Sequence, residues 1–153
     1  MTARWTRRLT KEYNEILKDS NFEVILSDDN LKNWEVRVKV QDGTKLKENK
    51  IDYVYFKVEF PDEYPSVAPK VMIIKPYIEA QFIFDGGAIC SDIFFKAGWS
   101  PMYNNINILN QMIQLLENGF RNVNLERSYD NSKYDSQMEF ISKAHSSWKE
   151  HNN

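Results

Sequence analysis

Residues 34–40 read Trp34-Glu35-Val36-Arg37-Val38-Lys39-Val40, with apolar and charged side chains in strict alternation. Every second side chain of such a segment faces the same side, as in a half-buried β-strand. The alternation returns at residues 54–60, residues 22–26 are strand-like, and residues 71–74 form a short apolar run. Four such segments in succession, separated by polar turns, predict an antiparallel meander.

Helical periodicity flanks these strands. Between Trp5 and about Asp19 the apolar residues recur at the spacing of a surface helix with one buried stripe, at Leu9, Tyr13, Ile16 and Leu17. A second helix covers residues 106–116 and is predicted to end in a glycine cap at Asn118-Gly119. The last helix places five side chains on one stripe: Tyr134, Met138, Ile141, His145 and Trp148.

Residues 75–103 lack a regular period and contain the single cysteine, Cys90. An irregular segment of this length in a small protein is usually functional. The element order is an N-terminal helix, a four-stranded meander, a long loop with the cysteine and C-terminal helices, which predicts an α+β fold. We expect one domain over residues 1–153.

Composition argues against several classes of function. With 20 basic and 22 acidic side chains the formal charge is -2, so we expect no nucleic-acid partner. No apolar run reaches the roughly 20 residues of a membrane span, and the charged N-terminus is unlike a signal peptide, so we expect no membrane association and a cytoplasmic or nuclear location. One cysteine and two histidines, His145 and His151, cannot form an internal disulfide or an ordinary zinc cluster.

Cys90 has two interpretations. It is either a small buried apolar residue or a reactive thiol, whose thiolate form is the nucleophile. Gly86 and Gly87 lie just before it. Glycines permit backbone turns that other residues avoid and leave no side chain to block a large incoming protein, so these neighbours favour an accessible thiol.

Three motifs carry a resemblance to a known family. They are Phe60-Pro61-Asp62-Glu63-Tyr64-Pro65-Ser66-Val67-Ala68-Pro69-Lys70, Gly87-Ala88-Ile89-Cys90-Ser91-Asp92-Ile93 and Trp99-Ser100-Pro101. Their letters, their spacing and the element order resemble the ubiquitin-conjugating (E2) fold over about residues 6–148. The paired glycines before Cys90, the Gly98-Trp99-Ser100 step and residues 30–36 are most similar to the Q type of that family.

The resemblance implies a chemistry for Cys90. It would accept ubiquitin or a ubiquitin-like modifier from an activating enzyme as a thioester and transfer it to a protein substrate or a ligase. ATP would be consumed by the activating enzyme. Nothing in the chain resembles a phosphate-binding loop, so we expect no cofactor or metal of its own.

Ordinary family members carry a His-Pro-Asn triplet before the cysteine, and its asparagine stabilises the oxyanion formed during transfer. Here those positions hold Ala80, Gln81 and Phe82, and a phenyl ring cannot donate a hydrogen bond. The Q type also lacks the triplet. The candidates for the oxyanion donor are therefore backbone amides near Cys90, Gln81 and His145.

The resemblance also implies support from the last helix. In the Q type a histidine and a tryptophan lie near the thioester and help it reach unusual acceptors, including hydroxyl groups. His145 and Trp148 match them, with Phe82 where the Q type has tyrosine. On general grounds His145 and Trp148 would be packing residues instead.

Asp92 and Asp85 are close to Cys90 in sequence. Either carboxylate could influence the thiolate or help to deprotonate an incoming lysine. The alternative is that both aspartates only form turns, as acidic residues in loops usually do.

Two partner surfaces follow from the resemblance. Positive residues of the first helix would dock the activating enzyme, unless they form an ordinary solvated face: Arg4, Arg7, Arg8 and Lys11. The loops at residues 66–69 and 100–102, the latter with Pro101, match the ligase-binding patch. Ser66 replaces a large hydrophobic residue that many members expose, so we expect weaker binding of RING and HECT ligases.

Two other functions compete with the active carrier. A catalytically silent relative would use the same fold as a scaffold in ubiquitin signalling, and the missing His-Pro-Asn favours it, whereas the retained Cys90 favours activity. A thiol hydrolase such as a deubiquitinase would need a base beside the thiol, which only His145 could supply.

Overall fold

The computed structural model describes the backbone of residues 4–96 and 98–152 and the side chains of residues 5–96 and 98–144. The helices are α1 (Arg4–Leu17), α2 (Lys45–Glu48), α3 (Asn105–Gly119) and α4 (Tyr134–Asn152). The strands are β1 (Phe22–Leu26), β2 (Asn33–Lys39), β3 (Tyr53–Glu59), β4 (Lys70–Lys75), β5 (Tyr77–Ala80) and β6 (Phe120–Asn124). This order confirms the α+β class with an N-terminal helix, a meander and C-terminal helices.

The first four strands form one antiparallel sheet in the order β1-β2-β3-β4, as their alternation predicts. One face is buried, with Trp34, Val36 and Val38 from β2 and Val54, Phe56 and Val58 from β3. Apolar side chains of α1 and α3 join the same hydrophobic cluster, among them Leu9, Ile16, Ile108 and Leu116. Burying each such side chain is worth about 1.5–3 kcal/mol, so this face is the main support of the fold.

Helix α1 differs from its predicted stripe at two positions. Leu17, expected inside, is 52% exposed because the helix ends there. Glu12 lies inside instead and is only 4% exposed. Its carboxylate accepts hydrogen bonds from Arg8 Nε (2.9 Å), from Asn105 N (2.7 Å) and Nδ2 (3.0 Å), and from the hydroxyl of Tyr64. These bonds satisfy a buried charge that would otherwise be costly.

A second, two-stranded sheet corrects the prediction of an irregular loop over residues 75–103. Strand β5 lies inside that range and pairs antiparallel with β6, which directly follows α3. The hydroxyl of Tyr129 braces β5, because it accepts a hydrogen bond from Ile78 N (2.9 Å) and donates one to Ile78 O (2.6 Å). A four-residue strand whose partner lies far along the chain leaves little periodicity to recognise.

The predicted glycine cap of α3 is also wrong. Gly119 is the last helical residue, and Phe120 follows it with extended backbone angles (φ -75, ψ 150) rather than a left-handed turn. The absent side chain leaves room for the Phe82 ring, since a Cβ at Gly119 would lie 2.4 Å from Cζ of Phe82 and one of the two groups would have to shift. Within the described part of the chain, no helix has the length and apolar character to cross a membrane.

Candidate active site

Cys90 lies at the open end of a short hairpin. Residues 82–84 pair with residues 88–90, and Cys90 N donates to Phe82 O at 2.8 Å. Gly87 closes the turn with a bond from its N–H to the carbonyl of residue 84 (2.9 Å) and has φ +85, a conformation that favours glycine. We call residues 82–90 the cysteine hairpin.

The side chain of Cys90 is exposed, whereas residues 86–89 just before it are buried. This excludes the interpretation of Cys90 as a small buried apolar residue. Partial desolvation by the surrounding protein raises the pKa of the Cys90 thiol, and the negative charge of Asp92 raises that pKa further. At neutral pH the group is therefore mainly a thiol, and nucleophilic attack requires its deprotonation.

Of the candidate oxyanion donors, the amide of Cys90 is already occupied by the Phe82 carbonyl. Phe82 itself directs its ring towards Gly119 in helix α3. Gln81 is exposed directly after β5, where its amide can still donate a hydrogen bond. His145 and Trp148 lie on α4, but their side chains fall outside the described residues.

The two aspartates occupy different environments. Asp85 sits in the turn of the cysteine hairpin, and its carboxylate accepts from Gln137 Nε2 and from Lys133 Nζ (3.3 Å). Those two bonds hold the pKa of Asp85 below its usual range, so the carboxylate stays ionised. Its position in the turn agrees with the interpretation of Asp85 as a turn-forming residue. Asp92 is exposed and begins the short 3-10 turn Asp92–Phe94 after the cysteine.

Two residues that no sequence motif marks hold this turn. Asn131 Nδ2 donates to Gly86 O (2.9 Å), and Gln137 Oε1 accepts from Gly86 N (2.9 Å). They are far from the hairpin in sequence, so only the folded chain brings them together. The one feature of the sequence that indicates such contacts is the pair Gly86-Gly87, because adjacent glycines suggest that other groups approach the backbone closely.

The predicted stripe of α4 is confirmed for its described part. Tyr134 and Ile141 are buried and Met138 is partly buried, and they pack with Met72 and Ala88. Because Ala88 belongs to the cysteine hairpin, this contact connects the start of α4 to the candidate site.

The two loops of the predicted ligase patch lie on opposite sides of one groove. Trp99 Nε1 donates to Pro65 O (2.8 Å). The groove of ≈ 510 Å³ lies between residues 66–68 on one side and residues 94–96, Trp99 and Pro101 on the other. Ser66 and Pro101 are exposed. The large apolar side chains that reach solvent here are instead Val67, 44% exposed, and Met102, 87% exposed.

The basic residues of α1 separate into two groups. Arg7 and Lys11 are exposed. The guanidinium of Arg8 is turned inward, bonded to Glu12 and to Tyr103 O (2.7 Å) and lying 5.7 Å from the ring centroid of Tyr64. Arg8 thus contributes to the fold, and the side chain of Arg4 lies beyond the part of the chain described.

Comparison with known proteins shows which family the chain belongs to. The family model described as ubiquitin-conjugating enzyme matches residues 8–148. A protein of Acanthamoeba polyphaga mimivirus named "Probable ubiquitin-conjugating enzyme E2" is 32% identical, over 92% of this chain and 93% of its own length. A Q-like ubiquitin-conjugating enzyme of Drosophila melanogaster is 33% identical over 64% of this chain, and ubiquitin-conjugating enzyme E2 Q1 of Homo sapiens is 28% identical over 74%.

The matched regions cover 35% of the Drosophila protein and 30% of the human one, so the chain spans about a third of those relatives. Among solved structures, a ubiquitin-conjugating enzyme of Plasmodium falciparum aligns with a TM-score of 0.63 and 23% identity, over 73% of this chain and 83% of that one. Human ubiquitin-conjugating enzyme E2 G1 aligns with a TM-score of 0.63 and 22% identity, over 76% and 97%. At these identities the structures support the fold alone, while the family match and the mimivirus relative identify the chain as a member of the ubiquitin-conjugating (E2) enzyme family, to several Q-named members of which it is similar.

Proposed function

We propose that this protein accepts ubiquitin, or a ubiquitin-like modifier, as a thioester on Cys90 and transfers it to a protein substrate or a ligase. The observation that carries the proposal is the exposed thiol at the open end of the cysteine hairpin, in a chain of this family. A large donor protein needs this kind of access, and a cysteine held in a core would not offer it.

The proposed reaction has two steps. Cys90 first loses its proton, and the thiolate attacks the activated carboxyl carbon of the modifier, so that a C–S bond forms as the bond to the activating enzyme breaks. An acceptor amine then attacks the same carbon, the C–S bond breaks, and the thiolate is regenerated while the amine releases a proton. Because the pKa of Cys90 is raised, we expect charging to become faster as the pH increases.

The remaining roles are part of the same proposal. Arg7 and Lys11 are the exposed basic groups that would attract the activating enzyme, and the groove beside Val67 and Pro101 would receive a ligase. Gln81 is the described side chain proposed as oxyanion donor, with His145 and Trp148 as further support. The protein would work in the cytoplasm or nucleus without a cofactor of its own, since the activating enzyme consumes the ATP.

A charging assay tests the proposal. Wild-type protein and the Cys90→Ala variant are incubated with activating enzyme, ATP and ubiquitin and separated on a non-reducing gel. We expect an adduct on the wild type that is removed by dithiothreitol and is absent from Cys90→Ala. The second candidate function is a silent scaffold, which Phe82 in place of the asparagine favours. It would be supported if no adduct formed with ubiquitin, or with ubiquitin-like modifiers and their activating enzymes.

A further inference from the structure

We propose that Asn131 and Gln137 are positioning residues for Cys90, which fix the turn of the cysteine hairpin and so set where the thiol is presented. The inference deepens the proposed function and rests on it, because it concerns presentation of the same sulfur. It is carried by hydrogen bonds between residues 130–137 and the turn at residues 85–87.

Asn131 joins the turn to the main sheet. Its Nδ2 group donates to Gly86 O (2.9 Å) in the turn and to Ile73 O (3.0 Å) in strand β4. Ile73 N donates in turn to Gly87 O (3.1 Å), so the turn lies directly against β4. One side-chain amide thus bridges two backbone segments that would otherwise contact each other through a single hydrogen bond.

Gln137 uses both halves of its amide. Oε1 accepts from Gly86 N (2.9 Å), and Nε2 donates to the carboxylate of Asp85. Lys133 Nζ lies 3.3 Å from the other oxygen of that carboxylate, and the backbone N of Asp130 donates to Asp85 O (3.0 Å). A carboxylate at position 137 could still accept from Gly86, but it could not donate to Asp85.

Neighbouring groups approach the backbone of the turn closely. A Cβ at Gly86 would lie 2.4 Å from Gln137 Oε1, and a Cβ at Gly87 would lie 2.3 Å from Ile73 O. The two arms of the hairpin are hydrogen-bonded to each other as far as Cys90. A displacement of the turn is therefore transmitted along the arms to the thiol, and a misplacement of about 1 Å can lower a reaction rate by as much as about 100-fold.

The competing explanation is that these bonds only attach α4 to the domain. In that case, substitutions would lower stability, while the chemistry of Cys90 in the folded protein would stay the same. Thiol reactivity in the folded state separates the two explanations, because it reports the surroundings of the sulfur rather than the population of folded molecules.

The test uses a swap of donor and acceptor. Gln137→Glu places a carboxylate against Asp85, whereas the double variant Asp85→Asn/Gln137→Glu restores a donor facing an acceptor and keeps the net charge of the wild type. Ser136→Ala is the matched control, since it removes a neighbouring hydrogen bond to Lys133 O (3.0 Å) that does not touch the turn.

Two rates are measured on protein shown to be folded by circular dichroism. The first is alkylation of Cys90 by iodoacetamide as a function of pH. The second is ubiquitin charging by the activating enzyme, measured at varied concentrations of this protein so that kcat and the KM for this protein are obtained separately. For Gln137→Glu we expect kcat to fall roughly tenfold with an altered alkylation profile, and for the double variant and Ser136→Ala we expect both rates within about twofold of wild type.

The inference would be overturned if folded Gln137→Glu were alkylated and charged at the rates of the wild type. It would also be overturned if the double variant did not recover those rates. If Gln137→Glu does not fold, Asn131→Ala is judged by the same two rates. Failure of the wild type itself to become charged would contradict the proposed function, while the alkylation profiles would still decide whether the two residues position the thiol.

Discussion

The backbone amide of Cys90 donates a 2.8 Å hydrogen bond to the carbonyl oxygen of Phe82. The resemblance to the family matches residue 82 to the asparagine of the His-Pro-Asn triplet. In this protein the position supports the cysteine through its main chain, while its ring fills space beside Gly119. The Phe82 side chain therefore packs between the cysteine hairpin and helix α3, and it offers no hydrogen-bond donor.

This contact makes Gly119 sensitive to substitution. Gly119→Ala should lower the free energy of unfolding by about 1–2 kcal/mol in spite of the better helix propensity of alanine, because the new methyl group collides with the Phe82 ring. Urea denaturation of Gly119→Ala, Phe82→Leu and the double variant measures the coupling. We expect the double variant to be more stable than the sum of the single effects predicts, and strict additivity would disprove the contact.

Asp92 should slow the reaction of Cys90 near neutral pH. Its negative charge disfavours the thiolate and raises the thiol pKa, so Asp92→Asn should shift the alkylation profile to lower pH. At pH 7.5 we expect alkylation by iodoacetamide to become about twofold faster, with the two curves converging at high pH where both thiols are ionised. Asp42→Asn, an equal charge change at an exposed site elsewhere, is the control. An unchanged or upward-shifted profile would refute the effect.

Gln81 is the exposed amide next to the family's asparagine position. If it donates to the oxyanion, Gln81→Ala should leave charging unchanged and slow discharge to free lysine about tenfold or more. Glu79→Ala, two residues earlier on the exposed face of β5, controls for perturbation of the strand. Equal discharge rates for wild type and Gln81→Ala in single-turnover experiments would remove Gln81 from the mechanism.

Glu12 should contribute strongly to stability, because its buried carboxylate accepts several hydrogen bonds. Glu12→Gln leaves Arg8 without its carboxylate and places an NH₂ group among the donors that now face Glu12, so we expect a loss of about 3 kcal/mol. Glu15→Gln on the exposed side of the same helix should change stability by less than about 0.5 kcal/mol. Thermal and urea unfolding at pH 7 compare the two, and similar losses would contradict the account.

The periodic spacing of apolar residues predicted the elements that bury one regular face. The alternation at residues 34–40 and 54–60 predicted strands β2 and β3, because one face of each is buried along its whole length. Strand β5 was missed because its pairing partner, β6, is remote in the chain. Gly119 resembles a cap in the sequence, whereas the folded chain places it against Phe82, which belongs to another element.

The candidate site divides in the same way. Cys90 could be found from its motif, since the letters around it are unusual as a group. Asn131 and Gln137 could not, because a single polar residue in a turn or on a helix is usually solvated and nothing local distinguishes these two. The ion pair of Arg8 is likewise invisible in the sequence, which does not reveal that Glu12, one helical turn away, is buried and needs a partner.

The most direct test of the thioester on Cys90 is the intact mass of the charged protein. After incubation with activating enzyme, ATP and ubiquitin, we predict a species heavier by one ubiquitin less one water, with the linkage mapped to Cys90 and the original mass recovered after treatment with dithiothreitol. A ubiquitin adduct that survives dithiothreitol and also forms on Cys90→Ala, or no ubiquitin adduct on folded wild-type protein, would contradict it.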